Sequence, residues 1–253
     1  GILELSGANT YSGNTTVSQG LLRVNGSLAA ASTVTVAGGG ILGGSGLIAG
    51  SVVGDGGLIA PGASPGILTV QGKLTASGST AFAFEFLSTG DPTWSNAAAS
   101  VNDVLRLTNA SPFTSPLLAS NVVNVYFEVP SLALDDTFRG GFYVDNPNST
   151  ASLLDNGIGS ATFEYFVLGD NQGPVTYNDR NYYPLADYVT TFNSPVTGVT
   201  RSVVNVAEAD FVSGTVTTGQ VTQFVIVPEP GSLALAALGL AAAASYAGRR
   251  RRP

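Results

Sequence analysis

The chain of 253 residues contains no cysteine, no histidine and no methionine, and sets 17 Asp and Glu against 10 Lys and Arg for a net charge of −7. Without cysteine or histidine it can build neither a disulfide framework nor thiolate and imidazole metal sites, and Ser-His-Asp or Cys-His catalysis is out of reach. Four of the ten basic residues stand together at Arg249, Arg250, Arg251 and Arg252, so the rest of the chain is more acidic still and lacks the clustered basic face that nucleic acid requires.

An acidic chain of this kind suits an exported protein kept soluble by its own repulsion. Export needs an N-terminal leader, and the sequence opens on Gly1-Ile2-Leu3-Glu4 with neither a methionine nor a basic-apolar segment. It is therefore expected to be the C-terminal part of a longer precursor. No cofactor is expected.

Residues 1–80 hold one aromatic, Tyr11, whereas 21 follow from Phe82 onward. They also repeat. Thr16-Val17-Ser18-Gln19-Gly20-Leu21-Leu22, Thr35-Val36-Ala37-Gly38-Gly39-Gly40-Ile41 and Val52-Val53-Gly54-Asp55-Gly56-Gly57-Leu58 each place a β-branched apolar residue before a Gly-containing turn, and another apolar residue returns five positions later. Such units recur about every 17 to 21 residues, the length of one coil in a parallel β-solenoid. Apolar positions point inward, and Gly, Asn, Ser and Thr take the corners, where φ > 0 or a side-chain-to-backbone hydrogen bond is needed. A disordered Gly/Ala-rich linker would lack these regular returns.

Leu5-Ser6-Gly7-Ala8-Asn9-Thr10-Tyr11-Ser12-Gly13 with Thr15-Thr16-Val17, followed by Gly20-Leu21-Leu22-Arg23-Val24-Asn25-Gly26, resembles the autotransporter-associated β-strand repeat, also called the passenger-associated transport repeat. The stretch from Leu58 to Val70 is similar to the section that commonly follows it. The resemblance extends over residues 2–107 and implies a right-handed parallel β-helix of the kind found in large bacterial surface proteins. Autotransporters end in a membrane β-barrel. The different tail described below implies a different export route.

Phe82, Phe84 and Phe86 alternate with Ala83 and Glu85, the pattern of a half-buried strand. Asn102-Asp103-Val104-Leu105-Arg106-Leu107 resembles the Asn/Asp-x-Leu step that closes the repeat. Further strands are expected at Val122–Val129, Ala161–Leu168, Tyr188–Phe192, Ser202–Ala207 and Val221–Val227. Turn-rich loops such as Asp145–Asn148 and Gly169–Gly173 separate them, and no amphipathic helix stands out before the tail. Residues 108–226 read as a β-rich C-terminal region, either wider coils or a small packed β-domain capping the solenoid.

The tail has three parts: Val227-Pro228-Glu229-Pro230, an apolar run from Leu233 to Ala247, and the four arginines. The prolines fix φ and bias their neighbours toward extended backbone, so the first part is a preformed strand-like ligand that an enzyme could read through its main chain. Ser232 can cap a following helix. From Gly231 to Gly248 such a transmembrane helix would measure roughly 27 Å, barely enough for a hydrocarbon core of about 30 Å. The arginines should stay cytoplasmic and place the body across the inner membrane.

This order resembles the PEP-CTERM sorting signal of exported Gram-negative bacterial proteins. The resemblance implies that an exosortase, a multi-span membrane protease of transpeptidase type, recognises Val227, Pro228, Glu229 and Pro230 and removes the tail. The mature protein would reach the cell surface or extracellular matrix, in association with exopolysaccharide. An ordinary tail anchor is the plainer reading, but it has no need of the Pro-Glu-Pro element.

The expected fold class is all-β: a right-handed parallel β-helix or solenoid over 1–107, the β-rich region over 108–226, and the sorting signal with one transmembrane helix over 227–253. Two functional classes follow. The first is a non-catalytic structural or adhesin-like surface protein. The second is a polysaccharide-acting β-helix hydrolase or lyase, whose carboxylates and arginines would come from Glu85, Asp103 with Arg106, Asp135 with Asp136 and Arg139, or Asp170. The plain reading of those residues is turn and solvent-face polarity. No metal site is expected, since Gly54-Asp55-Gly56-Gly57 does not reproduce the calcium nonapeptide.

Overall fold

The computed structural model describes residues 1–62, 65–77, 79–92, 97, 100–109, 121–128, 132–145, 153, 161–169, 172–192, 194, 196–209 and 216–228. Its first four windings each contribute three short strands. They are β1 (Ile2–Leu5), β2 (Ala8–Asn9) and β3 (Thr15–Val17); β4 (Gly20–Val24), β5 (Ser27–Leu28) and β6 (Val34–Ala37); β7 (Gly40–Gly43), β8 (Leu47–Ile48) and β9 (Val52–Asp55); and β10 (Leu58–Ile59), β11 (Ile67–Val70) and β12 (Leu74–Ala76).

Two wider windings follow, with two strands each among the described residues: β13 (Ala81–Phe86) and β14 (Val104–Leu107), then β15 (Val122–Phe127) and β16 (Thr137–Asp145). The chain continues through β17 (Thr162–Leu168), β18 (Val175–Tyr177), β19 (Arg180–Pro184), the helix α1 (Leu185–Phe192), β20 (Val196–Ala209) and β21 (Val216–Pro228).

Equivalent strands stack in three sheets. One runs β1-β4-β7-β10-β13-β15-β17-β19-β18, another β2-β5-β8-β11-β14-β16-β21-β20, and the third β3-β6-β9-β12. All pairings are parallel until the C-terminal end, where β17/β19, β19/β18, β16/β21 and β21/β20 turn antiparallel. Down the first sheet Ile2 pairs with Leu21, Leu21 with Ile41, Ile41 with Leu58 and Leu58 with Ala81, steps of 19, 20, 17 and 23 residues. Ala81 then pairs with Val122 and Val122 with Thr162, steps of 41 and 40.

Inside the narrow windings, Leu22, Val24, Leu42, Ile48, Val52, Ile59, Leu68 and Leu74 are buried in one core. Corners carry the side-chain-to-backbone bonds their composition suggests: Asn9 Nδ2 donates to Ser27 O (3.2 Å), Thr33 N to Asn14 Oδ1 (3.2 Å) and Ser45 N to Asn25 Oδ1 (3.2 Å). Gly44 has φ +105°, and a Cβ there would lie 2.2 Å from Val24 O, so the backbone of one winding rests directly on the one before. Where narrow meets wide, the buried Asn121 donates to Ser77 O (2.6 Å) and Thr80 O (2.8 Å). The wider windings are filled by aromatics, with Phe142 meeting Phe82 and Phe84 edge-to-face at 5.0 Å each and Phe86 meeting Phe224 at 5.4 Å.

Two expectations need correction. The segment Tyr188–Phe192 is helical, not extended, and belongs to an amphipathic helix packed on β17, β19 and β20. Its Tyr-Val-Thr-Thr-Phe composition favours strand, but the tertiary setting prevails: Tyr188 is buried, its ring lies 4.9 Å from Phe192 one turn on, and Thr190 Oγ1 donates to Ala186 O. Asp187 in the first turn also suits the helix dipole. The strand Ala81–Phe86 is buried on both faces, not one, because Ala83 and Glu85 are covered by the β18–β19 hairpin.

No helix among the described residues is long and apolar enough to cross a bilayer. The expected span over 231–248 lies outside the described residues.

Candidate functional site

The end of β21 carries the start of the proline motif. β21 runs antiparallel between β16 and β20. On the β16 side regular pairing ends at Thr137 and Val225, and a turn takes over: Asp135 N donates to Ile226 O (3.0 Å) and Ile226 N to Asp136 O (2.9 Å). Asp135 sits at φ +68°, a left-handed conformation that Asp tolerates, and Asp136 Oδ2 accepts from Ala133 N (2.8 Å) to close the turn. Asp135 and Asp136 thus hold the fully buried Ile226.

Beyond Ile226, among the described residues, only β20 accompanies the strand, with Val227 opposite Gly198 and Pro228 opposite Val196, and the register slips between Val196 and Gly198. Val227 and Pro228 are the last described residues of the sheet. Glu229, Pro230 and the basic cluster Arg249, Arg250, Arg251 and Arg252 lie outside the described residues, as does Asp170.

Of the carboxylates singled out from the sequence, Glu85 and Asp103 come together. Asp103 Oδ1 accepts from Gly66 N (2.7 Å) and Oδ2 from Glu85 N (2.8 Å), while its own backbone links Glu85 O and Gly141 N. It ties β13 to the start of β11 and to β16. Burial pushes its carboxyl well above the ordinary value, the neighbouring Glu85 charge pushes it further, and the two backbone donors oppose both. Glu85, 1% exposed, accepts from Asn178 Nδ2 at 2.9 Å.

The arginines go elsewhere. Arg106 forms a two-point pair with Asp145 (3.2 and 3.1 Å), and Arg139 binds Asp91 (3.0 and 3.1 Å) and Gln223 (2.9 Å).

Sequence reasoning missed the cover over this pair. Asn178 and Asp179, both at positive φ, form the tight turn between β18 and β19. That hairpin lies on the outer face of the first sheet, where Tyr177 stacks on Tyr126 (4.2 Å) and Tyr126 on Phe166 (4.9 Å). Below it the buried Glu128 accepts from Tyr182 Oη and pairs with Arg180. Burial, then the charges of Glu164 and Glu85, push the Tyr126 hydroxyl up to about 12. The Asn-Asp dipeptide between Val175-Thr176-Tyr177 and Arg180-Asn181-Tyr182 was the available signal for this hairpin.

A cleft of about 80 Å³ remains between the hairpin tip and the narrow windings, lined in part by Arg23, Leu58, Pro61 and Tyr177. It is well below the size of a ligand pocket. Among the described residues no group of three acidic side chains is placed to hold a metal ion.

Two family models match the chain. Residues 1–24 match the passenger-associated-transport-repeat, and residues 227–252 match the PEP-CTERM protein-sorting motif. The first match is narrower than the resemblance over 2–107, although the same parallel step continues well past it. No curated protein matches the chain. The sorting motif marks an exported, membrane-anchored precursor of Gram-negative bacteria that is processed by an exosortase. Its matched residues begin at Val227, the first position past the turn that holds Ile226. A body of stacked β-strands thus runs without a spacer into its own export tag, and the chain carries a match to the PEP-CTERM protein-sorting motif over residues 227–252 and to the passenger-associated-transport-repeat over residues 1–24.

Proposed function

We propose that this protein is a non-catalytic structural or adhesin-like component of the bacterial surface. Its three parallel sheets are the sides of a right-handed β-solenoid, and its apolar tail is a transmembrane helix that holds the precursor in the inner membrane until the exosortase removes it. The mature form lies on the cell surface or in the extracellular matrix, with exopolysaccharide as its partner. The observation that carries this reading is the sorting motif joined directly to the last strand of the stacked body. The buried carboxylates fit the same reading. Both oxygens of Asp103 are engaged by backbone amides that join successive windings, which is a scaffold's use of an acid.

Replacing Pro228-Glu229-Pro230 by three alanines tests it. The variant precursor should remain full length in the membrane fraction, with its arginines retained by intact mass. Surface release at the normal rate would overturn the processing reading.

The alternative of a polysaccharide-acting enzyme draws on one observation, the raised carboxyl of Asp103 beside Glu85, a pairing that active sites also use. Sugar release from a panel of acidic polysaccharides, abolished by Glu85→Gln, would move the assignment to that class.

A further inference from the structure

The hydrogen-bond geometry at the end of β21 says how the sorting motif can be read. In a β-strand the N–H and C=O of one residue point to the same side, and successive residues alternate. Both backbone groups of Ile226 point to the β16 side, where Asp135 and Asp136 bind them. Those of Val227 therefore point to β20, where Gly198 stands opposite. Pro228, next in line, has no N–H to offer on the other side. An enzyme that recognises this extended segment through its main chain finds the polar groups of Val227 already covered by β20.

The cover is weak at that point. The ladder slips between Val196 and Gly198, opposite Val227 and Pro228, and the proline removes a donor. On the body side the strand is held from both flanks: Val225 pairs with Thr200 and with Thr137, and Ile226 is tied into the Asp135–Asp136 turn. Opening free energy is lowest at such strand ends and rises steeply where both edges are paired.

We propose that the processing enzyme takes up the signal by strand exchange. The Val196–Gly198 end of β20 leaves Val227, the enzyme's backbone pairs with Val227 in its place, and the Asp135–Asp136 turn keeps Ile226 and the rest of the body folded. The partner is thus a membrane enzyme with an open strand edge at its substrate groove. This rests on the processing reading above and adds the mode of recognition.

Because the chain has no cysteine, a single engineered disulfide tests the exchange in the full chain, exported into an oxidising compartment by a host that carries the enzyme. The double variant Gly198→Cys/Val227→Cys locks the exchanging pair; a Cβ at Gly198 would already lie 3.2 Å from a Val227 methyl. The double variant Thr200→Cys/Val225→Cys locks a pair on the body side of Ile226. The expected result is at least a tenfold slower loss of the tail for the oxidised 198–227 lock than for the same variant reduced, which should match the single variant Val227→Cys, and no difference between the two states of the 200–225 lock. The reduced form of each variant serves as its own folding control.

Processing of the oxidised 198–227 lock as fast as its reduced form, with the three-alanine variant still retained, would overturn strand exchange and leave the sorting reading intact. Equal arrest by both locks would overturn it too, by showing that the whole β20–β21 hairpin must open. Normal processing of the three-alanine variant would sink the sorting reading itself.

Discussion

Through Ala76 each winding takes about 20 residues and has three short strands around Val, Leu and Ile; from Ala81 each takes 41 or 40 and has, among the described residues, two longer strands around Phe. Neighbouring strands of the stack pair in parallel in both. What differs is the filling. In the narrow windings single aliphatic side chains suffice and glycine lets backbones touch, as at Gly44 on Val24. In the wide ones Phe142 reaches Phe82 and Phe84, so the space is spanned by interleaved rings. The width of such a winding is set by the volume of the residues it must bury, since interiors are packed without voids.

This contrast breaks most readily at Phe142. Phe142→Ala leaves two rings without their edge-to-face partner and should cost about 3–5 kcal/mol, read from the urea midpoint of the full chain. A loss under about 1 kcal/mol would mean that the wide core collapses freely and is not held by its aromatics. In the narrow windings the vulnerable element is the backbone. Gly44→Ala should cost about 1–3 kcal/mol for the conformation alone and more for the Cβ that would sit 2.2 Å from Val24 O. Gly90 has a similar φ of +89° but open space around it, so Gly90→Ala carries only the conformational part. Equal losses at the two glycines would refute the close approach of the windings.

The narrow region was largely legible in the sequence because its repeat states the winding directly: Val17 and Val36, each before a glycine turn, pair in register in the third sheet, and only the next repeat is offset by one residue, with Val36 opposite Gly54 and Val53 opposite Thr35. The break in composition near residue 80 also falls where the third sheet ends and the step doubles. Strands over Val122–Phe127, Thr162–Leu168, β20 and the end of β21 agree with the expected ones within a few residues, apart from the longer reach of β20.

Two features were hidden. The helix at Leu185–Phe192 has a strand-like composition and is stabilised by Tyr188 and Phe192 packing one turn apart, a contact that local propensity does not encode. The outer-face cover of Glu85 depends on a hairpin 93 residues away in the chain, and no local pattern announces that Asn178 will bond it. The turn holding Ile226 was visible as a loop at Asp135-Asp136, but not its partner.

Asp103 sharpens the comparison at the seam between the two regions, since it joins Gly66 of the narrow part to Glu85 of the wide part. Asp103→Asn turns one acceptor into a donor facing a buried N–H and should cost about 1–3 kcal/mol. The pH dependence has a definite sign. Asp103 is raised in the fold above its ordinary 3.8, so its stabilising contribution is complete below that value and is lost as pH rises through the higher folded value. The stability of the native chain minus that of Asp103→Asn should therefore be larger at about pH 5 than at about pH 8. A difference that is flat or reversed would show that Asp103 is not the buried acid its surroundings describe.

The smallest effect tests whether the wide region's second covered face is held by the hairpin turn or by its rings. Asn178→Gly keeps the left-handed turn and removes only the donor to Glu85. It should cost about 0.5–1.5 kcal/mol, the net worth of one such bond, and raise amide exchange across Val175–Pro184 while leaving the narrow windings protected. If exchange there is unchanged, the stack of Tyr177 on Tyr126 carries the cover by itself, and Glu85 is sealed by aromatic surface alone. If protection is lost in β13 and β15 as well, the hairpin is a structural layer of the wide core, and burial on both faces of those strands depends on a single amide.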